Sequence, residues 1–306
     1  LVNSASISGP PNCPGGRLMP CRTINVGSTP GGRASRLGLA CQRAGSSRPV
    51  ALSTVKVHDF GPMKTRLLVS GDLFNGADVL LEGDRARYLG RVLRLRVGDD
   101  IVVFNGSGPE WRARIAAMTR NTATLRIGEE TAGACESPLR VHLVQGVSRG
   151  ERMDYVVQKS TELGVKRITP VLTEYGVVKL DETRAAKRRE HWEQVAAGAC
   201  EQSGRTRPPL IDAPLRLKDW FGSKPADADI DLILAPGADL PLAQVPAPAT
   251  KACILVGPEG GFSQGEYEDA AVAGFRAVSL GPRILRTETA AVAALAIMQS
   301  LWGDLA

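Results

Sequence analysis

Two loops concentrate residues whose types and spacing can do chemistry. The first is Gly257-Pro258-Glu259-Gly260-Gly261-Phe262, which directly follows an apolar run over 252–256. Its glycines let the backbone approach a ligand closely and reach positive φ. In α/β sheets ligands bind beyond the carboxyl ends of strands, where this loop falls. A tight strand-to-helix turn would account for the glycines equally well. The spacing is neither G-x-G-x-x-G nor G-x-x-x-x-G-K-[ST], so neither a dinucleotide nor a nucleoside triphosphate is implied. The second loop is Leu280-Gly281-Pro282-Arg283-Ile284-Leu285-Arg286-Thr287-Glu288-Thr289. Ile284 and Leu285 are apolar in a loop and read as pocket walls. Thr287 suits an N-cap, and Glu288 suits the first turn of the helix that follows. Arg283 and Arg286 oppose the positive end of that helix dipole, so they call for an anionic partner such as an RNA phosphate or a cofactor carboxylate.

The elements that must hold these loops alternate between strands and helices from Leu139 onward, which predicts an α/β domain with a largely parallel sheet. Strands are expected over 141–147, 168–172, 232–235, 252–256 and 277–280. A long helix is expected over 184–202, and a shorter one through Tyr155, Val156 and Leu163 stops at Gly164. Ser148-Arg-Gly-Glu151 and Ser263-Gln-Gly-Glu266 both read as capping boxes. The helix after the second box ends near Gly274. The last helix, 288–301, is apolar nearly all round and is expected to be buried.

Between 63 and about 130 the pattern changes to short strands and turns, expected over 65–69, 79–81, 100–104, 111–118 and 122–127. Asn105-Gly106 and Asn121 supply turn chemistry. Strands at this spacing point to a small barrel. A short helix is expected over 85–92, and Arg85, Arg87, Arg91, Arg94 and Arg96 crowd its vicinity. Arg87, Arg91 and Arg94 share a face if the helix persists. That face reads either as an RNA contact or as a solvated surface answered by Asp84, Asp99 and Asp100.

Residues 1–62 are rich in Gly, Pro, Ser and Arg and have no periodicity, so they are expected to lack a core of their own. Three readings stay open for them: translated upstream sequence, which is favoured because patterned sequence begins at Met63, an organelle transit peptide, or a basic RNA-binding tail. This segment holds seven of the 38 Lys and Arg residues and one of the 32 acidic ones, which leaves 31 of each in the remainder. The net charge of +6 is therefore that of the extension, and affinity for RNA must come from local patches. The longest apolar run, 290–298, is far too short to cross a bilayer. The six cysteines, Cys13, Cys21, Cys41, Cys135, Cys200 and Cys253, form no C-x-x-C pair, which fits a reducing cytoplasm. With only His58, His142 and His191 present, a histidine-rich metal centre is not expected.

GPEGGF at 257–262 together with LGPRILRTETA at 280–290 resembles the ribosomal RNA small subunit methyltransferase E family, within the SPOUT methyltransferases. Lys159-Ser-Thr-Glu162-Leu163-Gly164, Thr173-Glu174, Glu201-Gln202-Ser203-Gly204-Arg205, and Val92-Leu93-Arg94-Leu95 before Val97-Gly98-Asp99 are similar to it as well. One departure is Tyr175-Gly176, where the family usually carries Arg-Ser. The resemblance covers about 63–301. It implies an α/β fold with a small N-terminal PUA-like β-barrel over 63–135 and a trefoil-knotted methyltransferase domain over 139–306, assembled as a homodimer. It implies S-adenosyl-L-methionine as cofactor, held by Thr173, Leu255, Gly257, Gly260, Leu280, Gly281, Ile284, Leu285 and Thr289, with no metal. It implies methylation of N3 of a uridine in 16S ribosomal RNA, on the assembled small ribosomal subunit. Arg286 and Glu288 are the candidate catalytic pair, and Arg87, Arg91, Arg94, Arg205 and Arg283 the candidate RNA contacts. Thr287 and Thr289 are placed to orient the uracil carbonyls. Two rival functions remain: ribose 2′-hydroxyl methylation by a related knotted enzyme, and a non-catalytic ribosome-assembly factor.

Overall fold

The structure, a computed structural model, describes residues 65–131, 135–176 and 181–305. The expectations for 1–62 and for a start at Met63 lie outside the described residues. The small domain is one five-stranded sheet in the order β1 (Arg66–Leu68), β3 (Asp100–Phe104), β4 (Glu110–Met118), β5 (Thr122–Thr131), β2 (Asp78–Glu82). β1 pairs parallel with β3 and the other neighbours are antiparallel. Trp111, Ala113 and Ile115 alternate inward along β4, and two register shifts against β5 bend the pair. The sheet path ends at β1 and β2, and helix α1 (Asp84–Arg87) with a π-helical turn (Tyr88–Val92) brings Ala86 and Leu89 into the core.

The large domain is a seven-stranded, wholly parallel sheet. Its order is β12 (Arg276–Val278), β10 (Ile230–Leu234), β11 (Lys251–Val256), β6 (Arg140–Gly146), β7 (Arg167–Leu172), β8 (Leu210–Ile211), with β9 (Leu215–Arg216) also on β7. Side chains alternate between two cores. α2 (Arg152–Glu162), α3 (Glu182–Ser203) and α6 (Thr287–Trp302) cover one face through Met153, Trp192 and Leu295. α4 (Leu217–Ser223) and α5 (Gln264–Val272) cover the other through Trp220 and Ala270. The short elements β8, β9 and α4 had no periodic signal in the sequence.

Three local expectations need correction. Ser148 and Glu151 form no capping box: Glu151 itself is the N-cap of α2 without a side-chain bond, and Ser148 turns back to the Gly146 carbonyl. The 263–266 box does form, in both directions. Helix α6 is buried on one side only; Val292, Ala293 and Ala296 are half-buried and Leu301 is 49% exposed. The third concerns Arg205, expected to meet RNA. It is 2% exposed, and its guanidinium donates to the carbonyls of Thr161 and Val165 and to Glu136. Its hydrogen-bonding capacity is turned wholly inward, where it joins α2 to the entry of β6.

The domains meet where the strands of the large sheet begin. Leu68 N–H donates to Glu201 on α3, and Arg66 donates to the carbonyls of Gly204 and Arg205. Glu136 lies beside this seam and takes Arg205, Lys166 and the Arg207 N–H. Burial pushes its carboxyl upward, but the hydrogen bonds from Arg205 and Lys166 outweigh this and hold it below the ordinary 4.5. Arg205→Ala leaves a half-buried carboxylate and two carbonyls short of donors, at an expected cost of about 3 kcal/mol in urea unfolding. The depressed group contributes fully above its unfolded value, and its contribution is lost as pH falls through the folded value. The gap between mutant and wild type should therefore narrow in acid.

Candidate active site

The two chemistry-bearing loops converge at the opposite end of the sheet, beyond the carboxyl ends of β10 and β11, beside the point where chain order reverses between β6 and β11. One hydroxyl ties them. Thr287 Oγ1 donates to the Gly257 carbonyl at 2.6 Å and accepts from Gln145 Nε2 at 3.0 Å. Thr287 is the first residue of α6 rather than its N-cap. The cap position is Arg286, whose side chain makes no capping bond. Gly146 is forced by packing, because a Cβ there would lie 2.4 Å from Pro258 Cδ. The end of β6 and the 257–262 loop are thus in direct contact.

Between the loops lies a cleft of about 450 Å³. Leu234, Val256 and the Gly257 backbone form its base, and Pro236, Ile284 and Leu285 its apolar wall. Phe262 and Tyr267 close one side, edge to face at 5.5 Å between ring centroids. The polar rim is Arg152, Glu259, Arg286 and Glu288. Glu259 accepts from Arg152 Nη1 at 2.5 Å and from the Arg149 N–H at 3.1 Å. Burial raises its pKa, yet its own backbone N–H, Arg152 and Arg149 hold it below the usual range. Glu288 is different: its side chain is 17% exposed, Arg152 Nε lies 4.0 Å from Oε1, and Oε2 is buried with no hydrogen-bond partner among the described residues. An adjoining recess of about 60 Å³, lined by Leu280, Gly281 and Arg283, shares Leu234, Pro236 and Leu285 with the main cleft.

Gly257, Ile284, Leu285, Arg286 and Glu288 therefore stand together around one space, with Leu280, Gly281 and Arg283 in its recess. Other expected ligands do not. Leu255 is fully buried in the core beneath α4 and α5. Thr289 is exposed on α6, outside the cleft wall. Thr173 lines a separate cavity with Glu174 and Glu266, and its Oγ1 is buried without a partner. Gly260 faces the 173–176 turn, since a Cβ would lie 2.8 Å from the Tyr175 carbonyl. Its missing side chain thus admits protein backbone. Of the candidate RNA contacts, Arg91, Arg94 and Arg283 are exposed, while Arg87 is paired with Asp84 at 2.5 Å. Gln145, Arg152 and Tyr267 escaped the sequence reading. They sit in ordinary strand and helix contexts, and only the fold brings Arg152 and Tyr267 to the cleft and Gln145 behind it, against Thr287.

Gly260→Ala should push the 173–176 turn away and cost about 1–3 kcal/mol in thermal or urea unfolding. Gly257→Ala meets Phe262 and Gly261 at 3.2 Å and beyond, so its effect should fall on the cleft itself and be read as weaker ligand binding.

Residues 135–299 match the RNA methyltransferase domain family, and residues 81–128 match the RNA methyltransferase PUA domain. A ribosomal RNA small subunit methyltransferase E from Buchnera aphidicola of Schizaphis graminum is 34% identical over 227 residues, covering 74% of this chain and 92% of that protein. The crystal structure of a ribosomal RNA small subunit methyltransferase E from Neisseria gonorrhoeae, bound to S-adenosyl methionine, superposes with a TM-score of 0.74 at 39% identity, covering 79% of this chain and all (100%) of that one. A putative methyltransferase from Legionella pneumophila, also solved with that cofactor, gives 0.76 at 38% identity and covers 79% and 99% of the two chains. The matched regions span both domains and contain both loops of the cleft. The chain belongs to the ribosomal RNA small subunit methyltransferase E family.

Proposed function

We propose that this chain is an S-adenosyl-L-methionine-dependent RNA methyltransferase that methylates N3 of a uridine in 16S ribosomal RNA. The cofactor fits the cleft on its own terms. A space of about 450 Å³ is within the range of small-molecule sites, and it pairs apolar walls with a few fixed polar groups. Glu259 suits the positive charge of the amino group, and the Gly257 backbone lies open at the base. When bound, S-adenosyl-L-methionine supplies a methyl group already activated by its sulfonium.

The observation that carries the reading is the unpartnered Oε2 of Glu288, buried on the rim beside Arg286. Uridine N3 bears a proton at neutral pH. Glu288 is the acceptor for that proton, and Arg286 stabilises the uracil anion that remains. Exclusion of water by Phe262 and the half-buried Leu285 strengthens both interactions. Holding N3 in line at about 3 Å from the methyl supplies much of the remaining acceleration.

Three further parts of the reading have supports of their own. Segment 279–287 is gripped on both sides, Ser279 by the backbone of Leu240 and Leu242 and Thr287 by Gly257, which agrees with a C-terminal trefoil knot. The half-exposed apolar side of α6, with Tyr155 on α2 at 46% exposure, suits a second copy of the chain in a homodimer. Arg91, Arg94 and Arg283 are the RNA contacts retained, and the substrate is the assembled small subunit, met in the cytoplasm.

Glu288→Gln should lower the rate of methyl transfer by about 10²–10⁴-fold while cofactor affinity measured by calorimetry stays near wild type. An unchanged rate would remove Glu288 from the mechanism. Nucleoside mass spectrometry of treated subunits should reveal N3-methyluridine, whereas a 2′-O-methyl nucleoside would move the chain to ribose chemistry. Since the chain beyond residue 62 has balanced charge, methylation of assembled subunits should far outpace that of a short RNA carrying the same uridine at physiological salt.

A further inference from the structure

The small domain carries a local irregularity just after α1. After α1 the chain makes a π-helical turn over Tyr88–Val92. Inside this stretch Leu89 is buried and Leu93 and Leu95 pack on the same core, with Leu93 N–H donating to Tyr88 and Leu95 N–H to Leu89, both at 3.0 Å. To return Leu95 to the core straight after Leu93, the backbone at Arg94 takes φ 56°. Among the described residues it is the one non-glycine residue with positive φ. Glycine or asparagine would relieve that conformation. An arginine kept there is retained for what its side chain presents, and π-turns and left-handed residues concentrate at functional sites.

What the turn presents is consistent. Arg91, Arg94 and Arg96 are exposed with no side-chain ion pair among the described residues, while the Asp99 carboxylate is taken up by the Arg96 backbone N–H at 2.7 Å. Tyr88 is 40% exposed and Val92 is 65% exposed between them. A solvated cationic face requires no open aromatic ring, and an acidic protein surface would answer the arginines without using it. A single-stranded nucleic acid uses both, because its bases stack on aromatic rings while its phosphates take the guanidinium groups. A duplex offers phosphates but no free base face.

We infer that Tyr88 stacks an unpaired base of the RNA, flanked by Val92, while Arg91, Arg94 and Arg96 hold the phosphates on either side. This rests on the reading of the chain as an RNA methyltransferase and adds to it the form of RNA that the small domain grips. The probe is a fluorescein-labelled, uridine-rich single strand of about a dozen nucleotides, a length suited to such platforms. Its binding to the full chain is followed by anisotropy, with the same strand annealed to its complement and polyglutamate as competitors.

Tyr88→Ala should weaken single-strand binding on the order of ten-fold, Tyr88→Phe should restore it, and duplex binding should not change. Arg94→Gly and Arg94→Asn should both raise the melting temperature, because they relieve the backbone, while weakening RNA binding and flattening its salt dependence by about one phosphate contact. A gain in stability with a loss of binding is an outcome that a merely structural arginine cannot give. Wild-type affinity in Tyr88→Ala, a lower melting temperature in both Arg94 variants, or equal competition by polyglutamate would overturn the inference. Calorimetry with S-adenosyl-L-methionine keeps the two readings apart. A wild-type chain that binds the single strand through Tyr88 but not the cofactor would refute the proposed function and leave this inference standing.

Discussion

The site depends on a single hydroxyl shared by three segments. Thr287 donates to the carbonyl that ends β11 and accepts from the glutamine near the end of β6, while its own backbone starts α6. A threonine can do this because its oxygen both donates and accepts. Buried between these partners, the bond fixes the distance between the 257–262 loop and the 280–287 loop, and so the width of the cleft. Arg286, at the cap position, makes no capping bond because a guanidinium has no acceptor to offer the helix N–H groups. A cation is thus held at a positive helix end with its guanidinium unpaired among the described residues.

A second fixed point, Glu136 with Arg205 and Lys166, does for the seam between the domains what Thr287 does for the cleft. Its charges are sunk at the foot of the sheet and satisfied by one another and by backbone carbonyls. Such a cluster adds little to stability as a whole, but it is costly to break at one member. Beside it, Arg66 and Leu68 on β1 meet the end of α3 and join the small domain to the large one.

Much of this was legible in the sequence, for identifiable reasons. Strands of the parallel sheet announce themselves as apolar runs, since both faces are buried, and the 263–266 box is written in adjacent residues. The cleft itself was visible because its walls come from two contiguous loops. What failed was anything decided by distant neighbours. Arg205 and Arg283 look alike on paper, yet Glu136 and two carbonyls surround the first and solvent the second. Gly260 reads as a ligand glycine until Tyr175, 85 positions earlier in the chain, is seen against it. Ser148 to Glu151 has the letters of a capping box, but its serine is drawn to Gly146, where Pro258 presses on the strand end. The π-turn was read as plain helix because its irregularity arises from the leucines that must reach the core.

The parallel sheet also separates two ends of the molecule. β6 leaves the seam at Arg140 and reaches the cleft at Gly146, and seven residues of strand span roughly 20 Å. A free nucleotide is shorter than that and can fill the cleft without meeting the small domain. A polynucleotide that engages both within one chain must bridge the length of the strand. The sheet is thus a ruler whose graduation is the rise per residue, and inserting or deleting a pair of residues along it would change the calibration while leaving both ends chemically intact.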